Sequence, residues 1–181
     1  MNQEIKATTV LCVKKGNQIA MASDGQVTLG HTVMKGKAKK TRKIYNGKIL
    51  AGFAGAAADA FSLLDKFEAK LKDYGGDLKR ASVELAKDWR SDKILRKLEA
   101  MLLVADLDDI FLISGNGDII SPDEPVVGIG SGGSYAYAAG LALLQNTELT
   151  AEQVAVKSLE IASTICIYTN NNITLESITK E

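Results

Sequence analysis

Two cysteines, Cys12 and Cys166, stand far apart in a chain of 181 residues. Two thiols at that separation do not make the spaced framework of a disulfide-stapled secreted domain. A reducing compartment, the cytoplasm, is the expected setting. His31 is the single histidine, so the spacing of a zinc site is missing. Prolines number two, and no Pro-rich linker, internal repeat or low-complexity tract divides the chain. Excess charge is missing too: 22 Lys and Arg balance 22 Asp and Glu. That removes the global electrostatic argument for a nucleic-acid or anionic-membrane partner. No apolar run approaches the roughly 18 residues of a membrane helix. The first seven residues carry Glu4 and Lys6 and no apolar core, unlike a secretory signal. What is present is a length suited to one domain of about 100–200 residues, with an ordinary apolar share of 46%. A chain near this size buries roughly 70% of its unfolded surface and needs no staples.

Periodicity divides the chain into strands and helices. Thr8–Lys14 and Gln18–Ser23 read as strands around Lys15-Gly16-Asn17. Lys43–Tyr45 and Lys48–Phe53 flank Asn46-Gly47, a two-residue hairpin signal. Asp24 to Lys40 reads as loop or short strands. From Ala56 to Tyr74 the period changes, with Phe61, Leu64, Phe67 and Leu71 on one helical face and Gly75-Gly76 as its stop. Asp77 caps a second helix, expected to run to about Leu98, with Arg90 to Lys97 on a solvated face. Met101–Ala105, Ile110–Ser114, Ile119–Ile120 and Val126–Ile129 return to strands. Ser134–Gln145 and a capping-box helix from Thr150 to Ile165 follow. Ile167–Thr169 and Ile173–Ile178 close the chain as strand-like pieces. Runs of strands and runs of helices argue α+β layers. Two stacked antiparallel sheets with a helix pair outside each would accommodate the count.

The chemistry starts from Thr8-Thr9, behind the seven-residue leader. Thr8 is an ordinary strand start unless the Ala7–Thr8 bond is cut. A cut there would give one residue both a hydroxyl nucleophile and an α-amine base of ordinary pKa about 7.7–8.0. Asp24 ends the strand paired with the Thr8 strand, so it is expected near Thr8. A buried Lys40 beside Asp24 would stay charged and hold a neighbouring amine neutral. Gly52 could offer a backbone N–H to an oxyanion. Gly128 to Gly133 fits G-x-G-x-x-G, the alternative reading as a nucleotide-binding module. A second helix follows where a dinucleotide unit needs a parallel strand ending in an acidic residue. Ser131 lacks the leading glycine of a hydrolase elbow, and His31 precedes it, opposite to the order in that fold.

Taken in order, Thr8-Thr9-Val10, Ser23 to Gly30, Val33 to Gly36, Lys39-Lys40, Ala51 to Gly55, Glu84 to Arg90, Ile129 to Gly133 and Ile165 to Asn170 resemble the HslV family. These are bacterial heat-shock peptidase subunits, proteasome-β-like, that work with HslU-type ATPases. The resemblance covers nearly the whole chain from Thr8 onward. It implies an N-terminal-nucleophile hydrolase fold, an α+β four-layer αββα sandwich. It implies removal of residues 1–7 from a single peptidase domain spanning 8–181. Thr8 then matches the nucleophile, Lys40 the active-site lysine, Asp24 its acidic partner, Ser131 the serine beside them and Gly52 the oxyanion glycine. Partners follow by the same resemblance: a homo-dodecamer of two hexameric rings, HslU-type ATPase hexamers and unfolded protein substrates. ATP would belong to the ATPase, in keeping with a chain that has no P-loop motif. A sodium ion held by backbone carbonyls of Ser163, Cys166 and Thr169 is also implied. The family usually has Gly where this chain has Ser163, which matters only if that position needs φ > 0. A further alternative is a non-catalytic ring subunit that keeps its leader.

Overall fold

The computed structural model describes residues 5–95 and 100–181. β1 (Ile5–Ala7), β2 (Thr9–Lys15) and β3 (Gln18–Ser23) open the chain. β4 (Val27–Leu29), β5 (Thr32–Lys35), β6 (Thr41–Ile44) and β7 (Ile49–Gly55) follow. Helices α1 (Ala57–Asp73) and α2 (Leu78–Ser91) precede β8 (Ala100–Ala105), β9 (Ile110–Ile113), β10 (Ile119–Ile120) and β11 (Val126–Gly130). Helices α3 (Gly133–Asn146) and α4 (Ala151–Ile165) lead to β12 (Thr174–Thr179).

The period-2 burial of these strands dictates the layering. In β2, Val10 and Cys12 point to one side while Leu11 and Val13 point to the other. The first pair meets Leu50, Ala54, Leu103 and Ala105 of β7 and β8 in a core between two sheets. The second pair meets Ala155, Leu159 and Ala162 of α4. One sheet runs β11-β2-β3-β12 and the other β10-β9-β8-β7-β6, every pairing antiparallel. α1 and α2 cover the outer face of the five-stranded sheet through Phe67, Leu71, Leu85 and Trp89. The result is the four-layer αββα sandwich of the α+β class. Among the described residues, no helix is long and apolar enough to cross a membrane.

Several elements depart from the expected ones. β2 starts at Thr9, because Thr8 has φ +114° and breaks the run. The leader is structured from Ile5: β1 pairs antiparallel with β4, in a third sheet of order β1-β4-β5. The hairpin at Asn46-Gly47 has a four-residue loop, with Ile44 opposite Ile49 and positive φ at Tyr45, Asn46 and Gly47. Phe61 is half exposed, off the α1 stripe, packing on Phe53 with Arg42 over its ring. α2 stops at Ser91, not Leu98, and residues 96–99 of that expectation lie outside the described residues. The cause of the stop is local: Asp92 is extended, and its Oδ1 accepts the N–H groups of Ile94 and Leu95, competing with the helix. Ile167–Thr169 is a turn rather than a strand, with Thr169 N–H donating to Cys166 O.

The capping box at α4 is present as expected. Thr150 Oγ1 accepts Gln153 N–H at 3.2 Å, and Gln153 Oε1 accepts Thr150 N–H at 3.0 Å. Thr150→Ala is expected to cost about 1 kcal/mol. In a domain of this size that lowers the melting temperature by roughly 2–4 °C in a thermal scan.

Candidate active site

Four segments meet at Thr8: the start of β2, the residues after β3, the strand entry at Lys40 and the turn between β11 and α3. Thr8 is 2% exposed. Its carbonyl accepts the Ser131 N–H at 2.8 Å. Gly130, at φ +90°, makes this approach possible, since a Cβ there would overlap Thr8 O. The Ser131 side chain itself is exposed.

Asp24 is fully buried and every lone-pair direction it offers is used. Its Oδ1 accepts Thr9 N–H at 2.8 Å and Lys40 Nζ at 2.8 Å. Its Oδ2 accepts Gln26 N–H at 2.9 Å and Asn170 N–H at 3.2 Å. Its backbone N–H donates to Thr9 O at 3.1 Å. Lys40 has a second acceptor, Gln26 O, at 2.6 Å. Burial pushes the Lys40 ammonium below its ordinary pKa, while the charge and hydrogen bond of Asp24 oppose that shift. The path from Lys40 toward Thr8 runs through Asp24 to the Thr9 amide, in the peptide bond that follows Thr8.

Gly52 lies in β7 opposite Thr41 and Leu103. A Cβ there would stand 2.7 Å from Val10 Cγ1 and 2.8 Å from Met21 Sδ. The glycine therefore lets the two sheets close on each other two residues beyond Thr8. His31 sits in the exposed turn of the β4–β5 hairpin. The glycines from 128 to 133 are occupied by the protein itself. Gly128 packs on the Gly133 backbone, Gly130 on Thr8 and Gly132 on Thr9 and Thr169. β11 is antiparallel to β2, so the parallel unit a dinucleotide site requires is not formed.

Ser163, Cys166 and Thr169 come from the last turn of α4 and the loop after it. Carbonyls in a last helical turn have no intrahelical partner and suit a hard cation. Ser163 is helical, and the non-glycine residues of positive φ among the described ones are Thr8, Tyr45 and Asn46. A serine therefore fits where a left-handed residue would not. Cys166 O accepts Thr169 N–H at 3.1 Å, and a carbonyl has a second lone pair to offer an ion. Buried Cys12 has its thiol pKa pushed well up by desolvation and stays a core residue.

Sequence reasoning missed Thr9, Gln26 and Asn170. Thr9 Oγ1 lies 2.7 Å from Thr169 Oγ1 and accepts Gly132 N–H at 3.0 Å. Asn170 accepts Gly25 N–H at 3.0 Å and donates to Gly36 O at 2.9 Å, tying the Asp24 loop to the segment before Lys40. Thr9, Gln26 and Asn170 all lie inside motifs quoted for the resemblance, but nothing in their spacing signals these contacts.

Comparison with known proteins agrees with this fold. The proteasome subunit family profile matches residues 5–178. The ATP-dependent protease subunit HslV of Treponema denticola is 63% identical over 178 residues, covering 98% of this chain and 100% of that protein. HslV of Borreliella burgdorferi is 59% identical over 179 residues, covering 97% of this chain and 98% of that one. The crystal structure of eukaryotic HslV from Trypanosoma brucei superposes with a TM-score of 0.90 at 41% identity, over 95% of this chain and 99% of that one.

Proposed function

The chain belongs to the proteasome subunit family, on its HslV branch, and from that membership we propose that it is the threonine peptidase subunit of an ATP-dependent protease. The observation that carries the reading is the convergence of the Asp24–Lys40 pair and the Ser131 turn on the peptide unit of Thr8. With residues 1–7 removed, the Thr8 amine takes the proton from its own Oγ. The Oγ attacks the carbonyl carbon of a substrate peptide bond. The resemblance gives Gly52 the oxyanion role, but Gly52 is paired on both edges of β7, so the oxyanion of the tetrahedral intermediate falls to a backbone N–H outside the sheet ladder. Collapse forms an ester on Thr8 and returns the proton to the departing amine. Water then hydrolyses the ester, with the Thr8 amine as base. The Lys40 cation keeps the amine unprotonated by like-charge repulsion. Asp24 holds Lys40, and Ser131 helps position the amine or the water.

The leader supports this reading in two ways. Ala7 pairs with Val27, Lys6 with Thr28 and Ile5 with Leu29, so an extended chain runs along β4 into Thr8. Strand addition of this kind is a general way to hold an extended peptide, and the acyl half of a substrate takes the same path. The second is strain. A β-branched residue at φ +114° is a backbone outlier, of order 1–3 kcal/mol. Cutting the Ala7–Thr8 bond abolishes that torsion.

In this reading the subunits form two stacked hexameric rings in the cytoplasm, and an HslU-type ATPase unfolds and feeds protein substrates. The carbonyls of Ser163, Cys166 and Thr169 would hold a sodium ion, whose chemistry is structural. It would neutralise carbonyl dipoles and fix the loop after α4. The test combines an intact mass with a peptidase assay, with and without the ATPase and ATP. The expected result is a chain starting at Thr8 whose hydrolysis rises when the ATPase is added. A chain that keeps its leader and hydrolyses nothing points instead to the scaffold subunit, a state represented by β1 lying on β4. A chain starting at Thr8 that stays inactive with its ATPase overturns the proposal.

A further inference from the structure

Thr9 has no part in the bond-making steps above, yet it is the residue through which the site is joined. It is fully buried. Its amide donates to Asp24 Oδ1 and its carbonyl accepts Asp24 N–H. Its side chain works on the opposite flank, accepting Gly132 N–H and sharing a 2.7 Å hydrogen bond with Thr169 Oγ1. Gly132 has no room for a Cβ, which would overlap both hydroxyls. Three segments distant in sequence therefore close on one hydroxyl pair.

This matters because of what leader removal does to Thr8. A chain end is poorly ordered unless something ties it down. Once residues 1–7 are gone, Thr8 keeps one covalent tether, the bond to Thr9, and one backbone clamp, Ser131 N–H on its carbonyl. The Ser131 turn is itself held to β2 by Gly132 N–H on Thr9 Oγ1. A shift of that turn would move the Thr8 carbonyl, and with it the amine and hydroxyl that must reach a substrate carbonyl together. A misplacement of about 1 Å can cost on the order of 100-fold in rate.

We propose that Thr9 and Thr169 form a positioning hydroxyl pair that registers the Thr8 nucleophile against the Ser131 turn, and that this pair governs kcat rather than substrate binding. The proposal rests on the threonine-peptidase reading. Val in place of Thr9 keeps the shape but leaves the Gly132 N–H buried without its acceptor. Serine keeps the hydroxyl.

The test uses the assembled, leader-cleaved protein, with the N-terminus checked by mass and kcat and KM measured on a peptide substrate. Thr9→Val and Thr169→Val are each expected to lower kcat roughly 10-fold or more, with KM within about twofold. Thr9→Ser is expected to restore most of kcat. The double variant should be no slower than Thr9→Val alone, because Thr9→Val already removes the hydroxyl–hydroxyl bond that Thr169→Val removes. Thr9→Val at parental kcat overturns the proposal. So does a loss confined to KM, an equal loss in Thr9→Ser, or multiplicative effects in the double variant. Should Thr9→Val fail to assemble, Thr169→Val against Thr169→Ser carries the same comparison. A Thr8→Ala control separates the two levels. Hydrolysis that survives it sinks the peptidase reading, whereas Thr8-dependent hydrolysis untouched by Thr9→Val sinks this inference alone.

Discussion

Thr8→Ala is expected to remove peptide hydrolysis, by roughly 1,000-fold or more in kcat. Losing the attacking atom of a covalent mechanism removes the pathway, and what survives is the modest help of oxyanion donors and binding. The substitution does little to the fold. The contacts that anchor this position use its backbone: Ser131 N–H on Thr8 O and, one residue on, Thr9 N–H on Asp24. In the precursor, alanine also relieves part of the crowding that a β-branched side chain meets at φ +114°. Thr8→Ala should therefore assemble and melt like the parent or slightly higher, so that a lost rate reads as lost chemistry. Thr8→Ser keeps both the hydroxyl and the amine and should retain measurable turnover. The check is single-turnover and steady-state hydrolysis of a fluorogenic peptide by leader-free protein, with melting curves alongside. Parental turnover by Thr8→Ala would mean that another group attacks.

The layers of the sandwich were legible because local signals agree with burial. Val10 to Val13 alternate between two cores as a period-2 strand demands, and Gly75-Gly76 and the Thr150 box mark helix ends by backbone chemistry. The misjudged pieces are those in which tertiary contact overrides composition. Ile167–Thr169 is apolar and β-branched enough to read as strand, but it turns because the residues on either side are committed to other partners. Cys166 caps α4 and Asn170 clamps the Asp24 loop. Ile5–Ala7 carries no strand signal of its own and takes extended form against β4. The same division holds at the site. Hairpin geometry puts Asp24 near Thr8, whereas no local signal puts Lys40 beside it; that pairing is implied by the family resemblance. The Thr9–Thr169 bond spans 160 positions of sequence, and no local pattern encodes a contact at that range.

Lys40→Met is expected to lower kcat by about 100-fold or more, the usual contribution of a group that sets protonation in the transition state. Its effects on fold and on pH dependence should be separable from those of Asp24→Asn. The pair is buried on both sides at 2.8 Å, and breaking a buried pair costs about 3–5 kcal/mol when one charge is left alone. The two halves are not left equally alone. Without Lys40, the Asp24 carboxylate still accepts N–H groups from Thr9, Gln26 and Asn170. In Asp24→Asn the amide oxygen can still accept from Lys40, but the ammonium loses its countercharge and the new NH2 group is set against the Gln26 and Asn170 N–H donors. Asp24→Asn should therefore destabilise more than Lys40→Met, which falls at or below the lower end of that range. The pH dependence follows from the direction of the Lys40 shift. Burial lowers its pKa from 10.5, so between the lowered value and 10.5 the folded chain binds fewer protons than the unfolded one. Stability then rises with pH across that window, and the cost of burying the ammonium is carried in full below it. Lys40→Met should flatten this rise in melting temperature. It should also move the acid limb of the peptidase profile upward, because the Thr8 amine loses the neighbouring cation that disfavours its protonation. A variant with the parental acid limb would show that Lys40 does not act on the amine, whatever its effect on rate.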